Sequence, residues 1–205
     1  MLPLFIEPND LQELCQSSPS DLIIIDLGSE ARFSEEHIPG AILITPAETQ
    51  APPPIPGFLP DTEALTRLMR RIGLTQNSHV VVYDDEGGGW AGRFIWMLDE
   101  IGHTKYSYLN GGLISWKGEG LAIDSGISSN EPSDIAIKVN GAHTIKCEAL
   151  CEALSSPNTL IWDARSPMEH KGEKKFSARG GHIPGAINYE WTRAMDPQNH
   201  HRLKP

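Results

Sequence analysis

The stretch DDEGGGWAGR, residues 84–93, closes the β-branched run VVVYD and places three consecutive glycines ahead of an amphipathic segment. Glycines in such a turn let backbone N–H groups converge without side-chain obstruction, giving a ring of donors suited to an anion or a thiolate. Three carboxylates, Asp84, Asp85 and Glu86, open the loop and are expected to repel an anion at its mouth. No nucleophile lies between Asp84 and Arg93. A magnesium phosphoryl-transfer site needs two aspartates one residue apart, whereas these are adjacent. A phosphatase loop needs Cys-x5-Arg, which is absent here.

The other residues able to do chemistry are scattered. Cys15, Cys147 and Cys151 form no C-x-x-C, so neither a disulfide framework nor a zinc site is indicated. Cys147 and Cys151 share a helical face with Leu150 and Leu154, and Cys15 stands beside Leu11 and Leu14. Both patterns read as small apolar residues in a core. Arg165, just after Asp163, and Arg179, just before Gly-Gly-His, are the candidates for binding an anionic substrate, because a guanidinium grips a sulfonate or carboxylate through two parallel bonds. Arg165 is also placed to pair with a nearby acid such as Glu169. His37 and His182 occupy identical turns and are expected to hydrogen-bond the backbone there. His200 and His201 lack a third ligand, so no metal site is expected.

These residues need elements to position them. LIIIDL and VVVYD are continuous apolar runs, as expected for strands covered on both faces. Between them DTEALTRLMRRIG puts Leu65, Leu68, Met69 and Ile72 at helical spacing, with Asp61 as N-cap and Gly73 as the stop. GWAGRFIWMLDEIG is a second helix ending at Gly102, and KYSYLN a strand leading into GGLISWKGEG. Alternating strands and helices predict an α/β domain with a mostly parallel sheet and helices on both faces. The proline-rich residues 51–60 read as an extended loop.

HIPGAI occurs twice, at residues 37–42 and 182–187, and SSPSDLIIID is echoed by SSPNTLIWD. Two similarities in the same order point to a duplicated domain. The expected organisation is a first domain over residues 1–124, a polar linker over 125–143, and the first half of a second copy over 144–205. Half a domain leaves strand edges and an apolar face uncovered, so 144–205 is expected to be loosely ordered or to self-associate.

The ordered set DLGSEARF, HIPGA, VVVYDDEGGGWAGRFIWML, GH and LNGGLISWKGEGL resembles the non-catalytic N-terminal domain of tandem rhodanese-type sulfurtransferases. LIWDARSPMEHKGEKKFSARGGHIPGAINYEWTRAM is similar to the start of their catalytic domain. The resemblance implies a cysteine that opens the active loop, takes a sulfane sulfur from thiosulfate or 3-mercaptopyruvate, and passes it from a persulfide to a thiophilic acceptor, with no cofactor. Asp84 stands at that position in the first copy. The same step forward from the second HIPGAI passes Pro205, so the chain alone is expected to be a truncated, inactive sulfurtransferase. The alternative is a non-catalytic rhodanese-like binding or regulatory module.

Composition fits these expectations. A net charge of −10 spread along 205 residues argues against nucleic-acid or anionic-membrane binding. The N-terminus has no signal-peptide pattern, no apolar run is long enough for a bilayer span, and a reducing cytoplasm is the expected setting.

Overall fold

The alternation read from the sequence takes the order β1 (Phe5–Ile6), α1 (Pro8–Gln16), β2 (Leu22–Leu27), α2 (Glu30–Glu35), β3 (Ala41–Ile44), α3 (Thr62–Arg71), β4 (His79–Asp84), α4 (Gly89–Glu100), β5 (Tyr106–Leu109) and α5 (Gly112–Gly118). The computed structural model describes residues 2–17, 19–53 and 57–205, so Pro54–Pro56 of the expected proline-rich loop lie outside the described residues. The five strands form one sheet in the order β1-β5-β4-β2-β3, every pair parallel.

Side-chain alternation along the strands explains why they read as unbroken apolar runs. Ile23, Ile25 and Leu27 of β2, with Val80 and Val82 of β4, face a core closed by Leu65, Leu68 and Met69 of α3 and Phe94 and Met97 of α4. Ile24, Val81 and Tyr83 point to the opposite face, onto Leu11 of α1, Phe33 of α2 and Leu113 and Trp116 of α5. Both faces are therefore covered, the arrangement that parallel strands require. The Asp61 side chain accepts from Ala64 N–H at 2.8 Å and starts α3, while Gly73 (φ 76°) and Gly102 (φ 77°) follow the ends of α3 and α4 in the left-handed region.

Two compact units divide the chain. One comprises Met1–His143 with Pro197–Arg202, the other Thr144–Asp196 with Leu203–Pro205. Residues 125–143, polar in composition, lie along the first unit. Ile135, Ile137 and Val139 pack against the α3/α4 core, and Arg70 Nε donates to the Ile135 carbonyl at 2.8 Å. The polar composition conceals this strap because its large apolar residues stand at alternate positions, Ile135, Ile137 and Val139.

In the second unit, α6 (Cys147–Ala153) precedes β6 (Trp162–Asp163), α7 (Pro167–Lys171) and β7 (Ile187–Asn188), with β6 and β7 paired in parallel. The expectation that Cys147 and Cys151 sit in a core is corrected, since both are exposed and α6 buries no residue. Their helical face is apolar as read, but none of its residues is buried and Leu154 beside it is exposed. Cys15 is half-buried against the α1/α5 side of the first unit. No helix among the described residues is long and apolar enough to cross a membrane.

Candidate functional site

The loop after β4 begins on a fully buried aspartate. Asp84 Oδ1 accepts from the N–H groups of Glu86 (3.1 Å), Gly87 (3.0 Å) and Gly88 (2.8 Å), and Oδ2 from those of Trp90 (3.0 Å) and Ala91 (3.0 Å). Gly87 and Gly88 have φ of 100° and 106°, which turn the amides inward and which L-residues rarely adopt. The ring of donors read from GGG is thus present, and its occupant is the chain's own carboxylate. The sequence placed Asp84 at the mouth as a repelling charge. The fold instead turns it inside, where five N–H groups compensate its desolvation. Burial and the neighbouring Asp84 charge push the Tyr108 hydroxyl above its ordinary range.

Arg93 holds the edge of this region, donating to the carbonyls of Thr49 (2.9 Å from Nη2), Gly57 (2.7 Å) and Phe58 (3.0 Å). It ties Thr49, Gly57 and Phe58 to α4 rather than facing the loop.

Beside the loop, Arg32 grips Asp26 at the end of β2, with Nη1 at 2.6 Å from Oδ2 and Nη2 on Oδ1, and its Nε lies 3.3 Å from Asp85 Oδ2. Burial pushes the Asp26 carboxyl up and the guanidinium opposes it. A Cβ on Gly28 would overlap the Arg32 guanidinium, so the absence of a side chain at Gly28 lets Arg32 reach back over the strand end.

The second unit presents related parts. Ser29 caps α2 through Arg32 N–H, and Ser166 caps α7 through Glu169 N–H in a full capping box. His37 Nδ1 donates to the Phe33 carbonyl at 2.7 Å and stacks on the Phe33 ring. His182 Nδ1 donates to the His170 carbonyl at 2.8 Å and stacks on the His170 ring. A carbonyl only accepts, which fixes the ring proton on Nδ1 in both. Both histidines therefore hydrogen-bond the backbone, as their turns suggested.

Asp163 takes the place of Asp26. Its partner is Arg165, with Nε at 2.9 Å from Oδ1 and Nη2 at 2.7 Å from Oδ2, and His170 Nδ1 adds a contact at 3.0 Å. Arg165 foremost, then His170, hold the Asp163 carboxyl well below the usual carboxylate range. Glu169, the acid expected for Arg165, is engaged with Ser166. A cavity of about 470 Å³ is lined by Asp163, Arg165, Arg179, His182 and Ile183. Both arginines singled out in the sequence meet there, Arg165 tied to Asp163 and to the Gly181 carbonyl (2.9 Å), Arg179 on the exposed side. The Asp26–Arg32–Asp85 contact was missed by sequence reading, although Gly in DLG against Arg in DAR is the signal that marks it. Among the described residues no group of three or more His, Cys, Asp or Glu is placed to hold a metal ion.

A parallel α/β sheet with an anion-shaped loop at the carboxyl end of β4 defines a class, and comparison with known proteins names it. The rhodanese-like domain model matches residues 7–119, and the chain belongs to the rhodanese family. It is 47% identical over 204 residues to the thiosulfate sulfurtransferase of Azotobacter vinelandii and 44% identical over 204 residues to that of Pseudomonas aeruginosa, spanning 99% of this chain and 74% of each relative. Among solved structures it is similar to SseA from Escherichia coli, described as a 3-mercaptopyruvate sulfotransferase, with a TM-score of 0.85 and 28% identity over 100% of this chain and 80% of that one. These homologues make the chain a member of the sulfurtransferases.

Proposed function

We propose that this chain is part of a thiosulfate- or 3-mercaptopyruvate-type sulfurtransferase of tandem organisation, in which the first unit is non-catalytic and residues 144–205 form the opening half of the catalytic unit. The observation that carries the reading is the 47% identity to the Azotobacter vinelandii thiosulfate sulfurtransferase along 99% of this chain. The paired Ser caps, stacked His turns and Asp–Arg contacts of the two units support a duplication.

In the proposed reaction a cysteine thiolate attacks the outer sulfur of thiosulfate, the S–S bond breaks, and sulfite leaves with the electron pair. A thiophilic acceptor such as cyanide then attacks the outer sulfur of the persulfide, and the thiolate departs. Arg179 and Arg165 would hold the donor's anionic group from the cavity they line. The nucleophile's place in the first unit is taken by Asp84, whose carboxylate fills the donor ring a thiolate would need. About a quarter of each close relative lies outside the match, and the proposal puts the nucleophile there. Cys15, Cys147 and Cys151 form no disulfide, which fits the reducing cytoplasm that is part of the same proposal. Small-molecule donor and acceptor are the proposed partners, with self-association through the second unit.

An assay with thiosulfate and cyanide tests this. The 205-residue chain is expected to show no turnover. Saturable activity that survives replacement of Cys15, Cys147 and Cys151 in turn by serine would overturn the mechanism. A non-catalytic module remains the competing reading, and it prevails if the coding sequence flanking these residues supplies no cysteine at the start of a loop after a β run.

A further inference from the structure

Each of the short helices α2 and α7 carries an aromatic ring four residues after its capping serine, Phe33 after Ser29 and His170 after Ser166. Both rings stack on the histidine of the HIPGAI turn, Phe33 on His37 with ring centres 3.8 Å apart and His170 on His182 at 3.6 Å. The stack is common to the two units, and what differs is the chemistry of the ring. Phe33 has no polar side-chain atom. His170 donates from Nδ1 to Asp163 Oδ2 at 3.0 Å, because a carboxylate held ionised can only accept.

His170 thereby has a hold on each arginine of the cavity. On one side it braces Asp163, which accepts from Arg165 Nε at 2.9 Å and Nη2 at 2.7 Å. Nη2 also donates to the Gly181 carbonyl, so Nη1 is the part of that guanidinium with no bond among the described residues. On the other side the His170 carbonyl accepts from His182 Nδ1 at 2.8 Å, and Arg179 lies three residues before His182. The two ends of the segment that carries Arg179 touch, since a Cβ on Gly172 would stand 2.9 Å from Gly181 N.

We infer that His170 is a positioning residue for the donor's anionic group, fixing Arg165 through Asp163 and Arg179 through His182 so that both guanidiniums grip one anion. This deepens the proposed function and rests on its assignment of the two arginines to the donor. Their shares follow from the bonds each already makes. Arg179, which pairs with no carboxylate among the described residues, offers its whole fork, and Arg165 adds the hydrogens of Nη1. The ligand this suits is a small anion with several oxygens on one centre, the chemistry that thiosulfate and sulfate share. A phenylalanine at position 170 would keep the stack on His182 and lose the bond to Asp163, which separates packing from positioning.

Calorimetric titration of the 205-residue chain with thiosulfate, and separately with sulfate, measures the grip. NMR signals of the Asp163 carboxyl and the Arg165 Nε–H report the positioning. The expected result is saturable thiosulfate binding that His170→Phe weakens by about tenfold, as loss of a hydrogen bond to a charged group does. His170→Asn, whose amide N–H stands near the place of Nδ1, is expected to weaken it less. In His170→Phe the Asp163 carboxyl should titrate at higher pH, because one of the donors that hold it low is gone, and the Arg165 Nε–H should exchange faster. Unchanged amide exchange across residues 187–189 verifies that the variants still fold. Unchanged affinity in His170→Phe, equal losses in His170→Phe and His170→Asn, or no saturable binding of either anion would overturn the inference. Equal affinity for sulfate and thiosulfate, both lowered by His170→Phe, supports the positioning role and counts against thiosulfate as the donor, so the two readings fail separately.

Discussion

Arg32 occupies the space that a side chain on Gly28 would need, and through it Asp26 is tied to Asp85 in the loop that follows β4. One guanidinium thus joins the ends of two adjacent strands. In the second unit Asp163 is gripped by Arg165, two residues beyond it, where the arginine that grips Asp26 is six residues beyond.

If the two solutions are interchangeable, moving the arginine should be tolerated only as a pair. Arg32→Glu alone leaves the buried Asp26 without its cation and is expected to cost roughly 3 kcal/mol. Gly28→Arg alone drives two guanidiniums into one space. The double variant is expected to recover most of the loss, and urea unfolding of all four proteins in a double-mutant cycle measures it. Additive losses would show that the two positions are independent.

Asp84→Gly empties a ring that holds five N–H bonds. A loss of about 3 kcal/mol is expected, since several buried donors lose their acceptor at once. Sulfate should restore part of the melting temperature by binding the vacated donors, whereas chloride at equal ionic strength should restore less. An identical response of the parent protein to sulfate would show that the ring is not the binding site.

The first unit should weaken as the medium is acidified through the histidine range. Burial lowers the pKa of His103, and burial aided by the His103 charge lowers that of His79. The unfolded chain takes up protons below about pH 6.5 while the folded unit resists, so stability is complete above that value and declines beneath it. Thermal melts from pH 8 to 5 should follow this slope, and His103→Phe should flatten it.

For the second unit the window lies lower. Arg165 and His170 hold Asp163 ionised, so its contribution is present above the ordinary carboxylate pKa near 3.9 and is lost as the pH falls further. Amide exchange of residues 160–190 should accelerate in that range, and Asp163→Asn should already show the fast exchange at neutral pH.

Thiol accessibility separates the three cysteines. Cys147 and Cys151 are exposed, whereas Cys15 is half-buried and burial pushes its thiol up. A disulfide reagent at neutral pH should label two thiols quickly and the third slowly. Fast labelling of Cys15→Ser at only one site would show that α6 is covered in solution.

Much of the first unit was legible because its physics is local. The β-branched runs of β2 and β4, the spacing of Leu65, Leu68 and Met69, and the stops at Gly73 and Gly102 each declare an element within a few residues. The glycines announced the donor ring, but not that Asp84 would fill it, because the direction of a side chain at a strand end depends on where the following helix begins. Residues 125–143 looked like a linker since their apolar positions alternate, and only the α3/α4 core gives those positions something to meet. The apolar face of α6 was read correctly and its burial was not, because periodicity records which side of a helix is apolar and says nothing of what packs on it.

The carboxylate of Asp84 fills the ring of N–H groups at the head of the loop after β4. Alkylating agents and peroxides, which consume a reactive thiol, find none in that loop. Nor does its shape wait on the supply of any donor, because the ring is filled from the moment the chain folds. The loop therefore keeps one geometry without a bound ligand to hold it open.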